Sequence, residues 1–163
     1  MKQKIQQSLQ QLIGYKFTKT RRTGAIECLH FSIEKQTGEF GIHLQCPWRI
    51  TKDNAILVGY NDLTEQPDET AEFDDNFDWD EQMGNLRDVK MANFLNSGKY
   101  IVESVEADNL GGFILAFNDN VKLTVFPTMS SKNIYGRHWR FLDNTAYNSK
   151  HFIVSSHGID EDI

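Results

Sequence analysis

The chain has 163 residues, a net charge of −6 and an apolar share of 39%. That length reads as one domain, 1–163, able to bury about two-thirds of its unfolded surface without a metal or disulfide staple. The acidic balance excludes general nucleic-acid binding, which needs a basic footprint, and no apolar run approaches the roughly 20 residues of a membrane helix.

The basic N-terminus lacks the apolar run of a secretory signal. Two cysteines, Cys28 and Cys46, suggest a reducing compartment with both thiols free, so the expectation is a cytoplasmic protein. Residues 3–13 read as a helix, because Ile5, Leu9, Leu12 and Ile13 recur at helical spacing, and Gly14 ends it. A basic strand over 15–22 follows, turning at Thr23-Gly24. Alternation predicts strands over 25–34 and 40–46, with Leu29, Phe31 and Ile33 facing Phe40, Ile42 and Leu44. In that register Ile33 lies opposite Phe40, and His30 opposite His43. Pro47 ends the ladder because it has no N–H to give, and 56–60 is a further strand.

Residues 65–81 differ in kind. Nine of these seventeen residues are acidic and none is basic, leaving 17 basic and 14 acidic residues elsewhere. Phe73, Phe77 and Trp79 are interleaved with Asp74, Asp75 and Asp78. This reads as a surface loop or short helix joining two halves, 3–63 and 85–155. A helix over 85–96 carries Leu86, Val89, Phe94 and Leu95. Strands follow over 100–107 and 113–117, then a three-residue loop with Asn120 suited to a left-handed position. The register pairs Phe113 with Val125, and Leu115 with Leu123. His138 to Phe141 and a strand over 152–154 complete the half, and 156–163 is a tail expected to fray.

The halves echo each other. Each runs helix, glycine, strand, hairpin, proline, Trp-Arg-apolar, short strand. Trp48-Arg49-Ile50 matches Trp139-Arg140-Phe141, and Pro47 matches Pro127, with eleven residues inserted between Pro127 and Trp139. The fold expected is α+β: a mostly antiparallel sheet with two helices, built as a duplicated α-β-β-β unit. A feature used twice points to scaffold, since chemistry needs one convergent site.

The pieces Gln45-Cys46-Pro47-Trp48-Arg49, Val102-Glu103-Ser104-Val105-Glu106-Ala107-Asp108 and Val125-Phe126-Pro127 with His138-Trp139-Arg140-Phe141 span most of the chain. On them the chain resembles a family of bacterial proteins of uncharacterised activity. The resemblance implies a bacterial, cytoplasmic protein and carries over no functional residue.

Several constellations deserve weighing as chemistry. Cys28, His30 and His43 share a sheet face, and both residue types bind zinc, but Cys46 points to the opposite face, so a plain sheet face is the reading kept. Asp74, Asn76, Asp78 and Asp80 mimic a calcium loop, but Trp79 stands where the turn glycine belongs and Asn85 where the closing Glu belongs. Nucleophile elbows and phosphate loops are absent. Glu103 and Glu106 differ in strand parity and point to opposite sides; one of them is expected to pair with Arg49 or Arg140. No metal or cofactor is expected. The reading leans away from an enzyme and toward a binding protein that meets a protein partner, a basic one, through Phe73, Asp74, Asp75, Phe77, Asp78 and Trp79. An immunity-type inhibitor of a toxin is its concrete form. The alternative is a ligand-binding or catalytic cleft between the halves, lined by Trp48, Arg49, Trp139 and Arg140.

Overall fold

The computed structural model describes residues 1–33, 38–145 and 151–160. Helix α1 (Lys2–Leu9) runs on into a 3-10 turn, Gln10–Leu12, and buries Ile5, Leu9 and Leu12 completely. Ile13 lies past the helix and is exposed, and Gly14 turns the chain at φ +88°. Eleven strands follow: β1 (Lys16–Thr23), β2 (Ile26–Ser32), β3 (Phe40–Leu44), β4 (Trp48–Lys52), β5 (Ala55–Gly59), then, after helix α2 (Leu86–Ser97), β6 (Tyr100–Ala107), β7 (Phe113–Phe117), β8 (Val121–Val125), β9 (Arg137–Asp143), β10 (Phe152–Ser155) and β11 (Gly158–Asp160). The fold is α+β, with two helices and one eleven-stranded antiparallel sheet.

Strand order is β11-β10-β9-β3-β2-β1-β6-β7-β8-β4-β5. Strands β1 and β6 pair only at Lys16 and Phe17. The sheet bends over on itself. Strands β9 and β7 are five places apart, about 24 Å in a flat sheet, yet the rings of Trp139 and Phe113 lie 4.9 Å apart, edge to face. The core fills the fold between the two arms, and α2 lies against both β1 and β5. Helix α1 is tied to β6 by one side chain: Gln6 donates to the Val105 carbonyl at 2.7 Å and accepts from the Ala107 N–H at 2.9 Å.

The alternation of the first hairpin is as expected, but its register is not. Phe31 pairs with Phe40, Leu29 with Ile42, and Glu27 with Leu44, a displacement of two residues. The cause is the turn. Strand β2 stops at Ser32, whose hydroxyl accepts from the Gly38 N–H at 2.7 Å, while Ile33 leaves the core and is exposed. A shift of two preserves the face of every side chain, so Leu29, Phe31, Phe40, Ile42 and Leu44 remain in the core and only Ile33 is lost from it. In the second hairpin Phe113 pairs with Val125 and Leu115 with Leu123, as read from the sequence.

Three further expectations are corrected. Pro47 ends one ladder but starts another: Trp48 to Lys52 form β4, a strand the sequence reading left out, and pair with β8. The tail does not fray over 158–160, where β11 pairs with β10; residues 161–163 lie outside the described residues. In α2 the buried residues are Leu86, Arg87, Met91 and Phe94, whereas Val89 and Leu95 are only half-buried. An arginine thus occupies the buried stripe of α2.

Candidate functional site

The acidic segment is a run of turns, not a helix. Gln66 organises it: its amide donates to the carbonyls of Asp68, Ala71 and Glu72 and accepts from the Asp74 N–H at 2.9 Å. The carboxylates of Asp74 and Asp78 each accept from the N–H two residues on, at 2.9 Å, closing Asx turns. Of the six predicted binding residues, Asp74 and Asp78 are therefore held by local bonds. Phe73 is 69% exposed and Trp79 39%. Asp74, Asp75 and Asp78 are exposed too, and the Phe77 ring meets Phe73 edge-on at 6.3 Å.

The end of the segment is anchored to Arg22. Its guanidinium forks onto Asp88 (3.0 and 3.2 Å), reaches Asp80 at 2.9 Å and bonds the carbonyls of Gly24, Asp80 and Glu81. It also lies 5.9 Å from the Trp79 ring. Burial works against its charge, but the bonds from Asp88 and Asp80 outweigh that and raise its pKa. A Cβ at Gly84 would collide with the Asp78 carbonyl oxygen, so glycine permits this close return. Asn85, fully buried, then caps α2 through the Asp88 N–H at 2.9 Å and donates to the Trp79 carbonyl at 2.8 Å.

Between this anchor, β1 and α2 lies a cleft of about 550 Å³, lined in part by Thr20, Arg22, Glu27, Asp80, Asp88 and Met91. At its floor Glu27, 2% exposed, faces Arg87, 0% exposed, at 3.2 Å. The Thr20 hydroxyl donates to the other Glu27 oxygen. Arg87 donates to the carbonyls of Tyr60 and Ala25 at 3.2 and 3.0 Å, and lies 5.6 and 5.7 Å from the rings of Trp48 and Tyr60. Burial pushes the Glu27 carboxyl above its ordinary pKa, with the Thr20 bond and Arg87 opposing, and lowers that of Arg87. Sequence reasoning missed this pair. The signal was present: Glu27 has the parity of Leu29 and Phe31, so a charge was written into the core-facing register.

The other face of the same strands carries Cys28, His30 and His43. Cys28 lies opposite His43, and His30 opposite Gly41, not His43 as the sequence register had it. Arg140 donates from Nε to His43 Nδ1 at 3.0 Å, which uses the lone pair a metal would need on that nitrogen. Burial, then Arg140, the other histidines and Arg21, bring the His43 pKa down to about 4. Burial raises the pKa of both thiols, that of Cys46 to about 12, so neither is a primed nucleophile. Both cysteines are free. Among the described residues no group of three His, Cys, Asp or Glu side chains is placed to hold a metal.

The residues read as an alternative cleft lie apart from both described cavities. Trp48 and Trp139 are each 1% exposed, and none of Trp48, Arg49, Trp139 and Arg140 lines either described cavity. Trp139 donates to the Gly111 carbonyl at 2.7 Å, whereas the Trp48 N–H is buried without a hydrogen-bond partner. Arg49 lies over the Phe126 ring at 5.7 Å and Arg140 on His43, so neither takes the expected partner Glu103 or Glu106. Asp108 is committed to a turn, accepting from Leu110 and Gly112. The chain matches no protein-family model, no curated protein and no solved structure.

Proposed function

We propose that this chain is a non-enzymatic binding protein of the bacterial cytoplasm, which holds a basic protein partner through the acidic-aromatic surface of Phe73, Asp74, Asp75, Phe77, Asp78 and Trp79. The observation that carries this reading is the pairing of exposure with order. Large aromatic rings stand in solvent beside exposed carboxylates, on a segment fixed by the Gln66 bonds and the Arg22 anchor. Rings buried by a partner supply affinity, and the carboxylates steer a basic partner in. An immunity-type inhibitor of a toxin is the concrete form. A ligand-binding role is the second reading, and the cleft above Glu27 is what favours it.

The scaffold carrying this surface is, in the same proposal, a duplicated α-β-β-β unit. The strand order supports it. Exchanging β1 to β5 with β6 to β10 turns the order into itself read backwards, apart from β11. The exchange relates Trp48 opposite Val125 to Trp139 opposite Leu44. It also relates the bond from Gln45 N–H to the His138 carbonyl with that from Phe126 N–H to the Pro47 carbonyl.

The test is co-purification with the product of the adjacent gene, repeated with Asp74, Asp75 and Asp78 all changed to Asn. Asparagine keeps the Asx-turn acceptors of Asp74 and Asp78, so the melting temperature should hold while association slows and weakens. Wild-type association should also slow as salt rises. Unchanged binding by the triple variant would end the interface reading.

A further inference from the structure

Arg21 and Arg22 are neighbours on β1 and project to opposite faces of the sheet. Arg22 is met by this chain's own acidic segment, with Asp80 at 2.9 Å and the Trp79 ring at 5.9 Å. Arg21 faces the other way. It starts a cross-strand row, Arg21 opposite Cys28, Cys28 opposite His43, and His43 opposite Arg140. Lys19 lies one position along, opposite His30.

Three permanent cations, Lys19, Arg21 and Arg140, thus share one face with two histidines in a chain of net charge −6. Among the described residues none of the three forms an ion pair. Asp160, at the far end of the row, is taken up by His157 at 3.4 Å and by Ser155. His43 supplies no counter-charge, because it is neutral and accepts from Arg140. Like charges gathered on a half-buried face repel one another and are eased by an anionic partner. Lys19 and Arg21 stand at the cleft beside Arg22, whereas His43 and Arg140 line neither described cavity, so the row runs from the cleft edge onto open sheet. A flat charged face suits a macromolecular partner better than a small ion.

We infer that this face receives the acidic-aromatic segment of a second copy of the chain. The inference rests on the binding role proposed for that segment and names one partner for it. The chain already displays the chemistry in cis, where an arginine of β1 takes both an aspartate and an indole from the segment. Arg21 and Arg140 offer the same donors and cation–π faces. They stand three strand spacings apart, about 14 Å, a span that a few residues of the segment cover. The segment held by Arg22 on one face leaves Arg21 on the other to a different molecule. Such a contact joins two different surfaces, so a pair of copies keeps one free surface of each kind, one on each copy.

Sedimentation of the full chain at about 0.02 M and about 0.5 M salt is the first measurement, since screening differs several-fold between them. Concentration-dependent association is expected at low salt, with the dissociation constant rising about tenfold or more at high salt. The charge-reversed variants Lys19→Glu with Arg21→Glu, and Asp74→Lys with Asp75→Lys, should each be monomeric. A mixture of the two should associate, because the intact acidic segment of one variant then meets the intact basic face of the other, and their reversed surfaces are complementary as well. Each variant mixed with wild type should give capped dimers through its intact surface. All four altered residues are exposed, and circular dichroism verifies their fold. A monomeric wild type at low salt overturns the inference, as does self-association indifferent to both reversals. A monomeric wild type whose binding to the adjacent gene product still needs Asp74, Asp75 and Asp78 leaves the proposed function standing. Loss of both takes both down.

Discussion

At the scale of single residues, the most consequential side chains are Glu27 and Arg87, an ion pair sealed under α2. Two charges taken out of water gain little net stability, but removing one leaves the other buried and uncompensated. Glu27→Gln should therefore cost about 3–5 kcal/mol, a fall in melting temperature on the order of 10 °C by calorimetry. Glu27→Leu with Arg87→Met should recover most of it. A double variant as unstable as the single one would assign the stability to the Arg87 bonds with the Tyr60 and Ala25 carbonyls instead. His43 sets an acid limit. Its folded pKa of about 4 lies below the ordinary 6.5, so the folded state binds fewer protons between those values. Its contribution is whole above about 6.5 and is lost as pH falls toward 4. Burial lowers His30 and His138 in the same direction, while Glu27, raised, acts in the opposite sense. The test is thus a difference: His43→Gln, which keeps an acceptor for Arg140, should lose less stability than wild type between pH 6.5 and 4. Parallel profiles of melting temperature against pH would contradict that sign.

At the scale of elements, the acidic segment and α2 are joined by Gly84 and Asn85. Asn85 satisfies the Asp88 N–H and the Trp79 carbonyl from one buried side chain. Asn85→Ala should cost about 2 kcal/mol, the upper end for a lost cap, and Asn85→Ser, which keeps only the cap, should cost less. Equal urea midpoints for the two would show that the cap on the Asp88 N–H contributes nothing. The segment itself was legible in the sequence, as nine acids around three aromatics, and so were the faces of the first hairpin. What was not legible was its register, because Ser32 and Gly38 close the turn by a side-chain bond that alternation does not encode. Lys19, Arg21 and Arg22 all belong to the basic strand read over 15–22. The bulge between Phe17 and Lys19, followed by alternation, divides them, and only Arg22 meets the segment.

At the scale of the whole molecule, the halves complete each other's sheets. Strand β4 pairs with β8, and β9 with β3. A fragment of residues 1–64 would leave β3 and β4 without those partners, so it should be unfolded alone by circular dichroism and NMR. Mixing it with residues 65–163 should restore native signal. A folded 1–64 fragment would show that the first half closes its own core without exchange.

The sequence by itself determined the strands' inward and outward faces, the presence of two helices, the two free thiols and the charged segment. These follow from local rules: period, breakers and composition act over a few residues. Tertiary structure alone decided that Trp48 and Trp139 are core and not cleft, that Arg87 is buried, and that Arg21 and Arg22 part company. The reason is physical. Burial of a side chain depends on what the bent sheet brings opposite it, and the partners of Arg87 come from residues 25, 27 and 60, far along the chain.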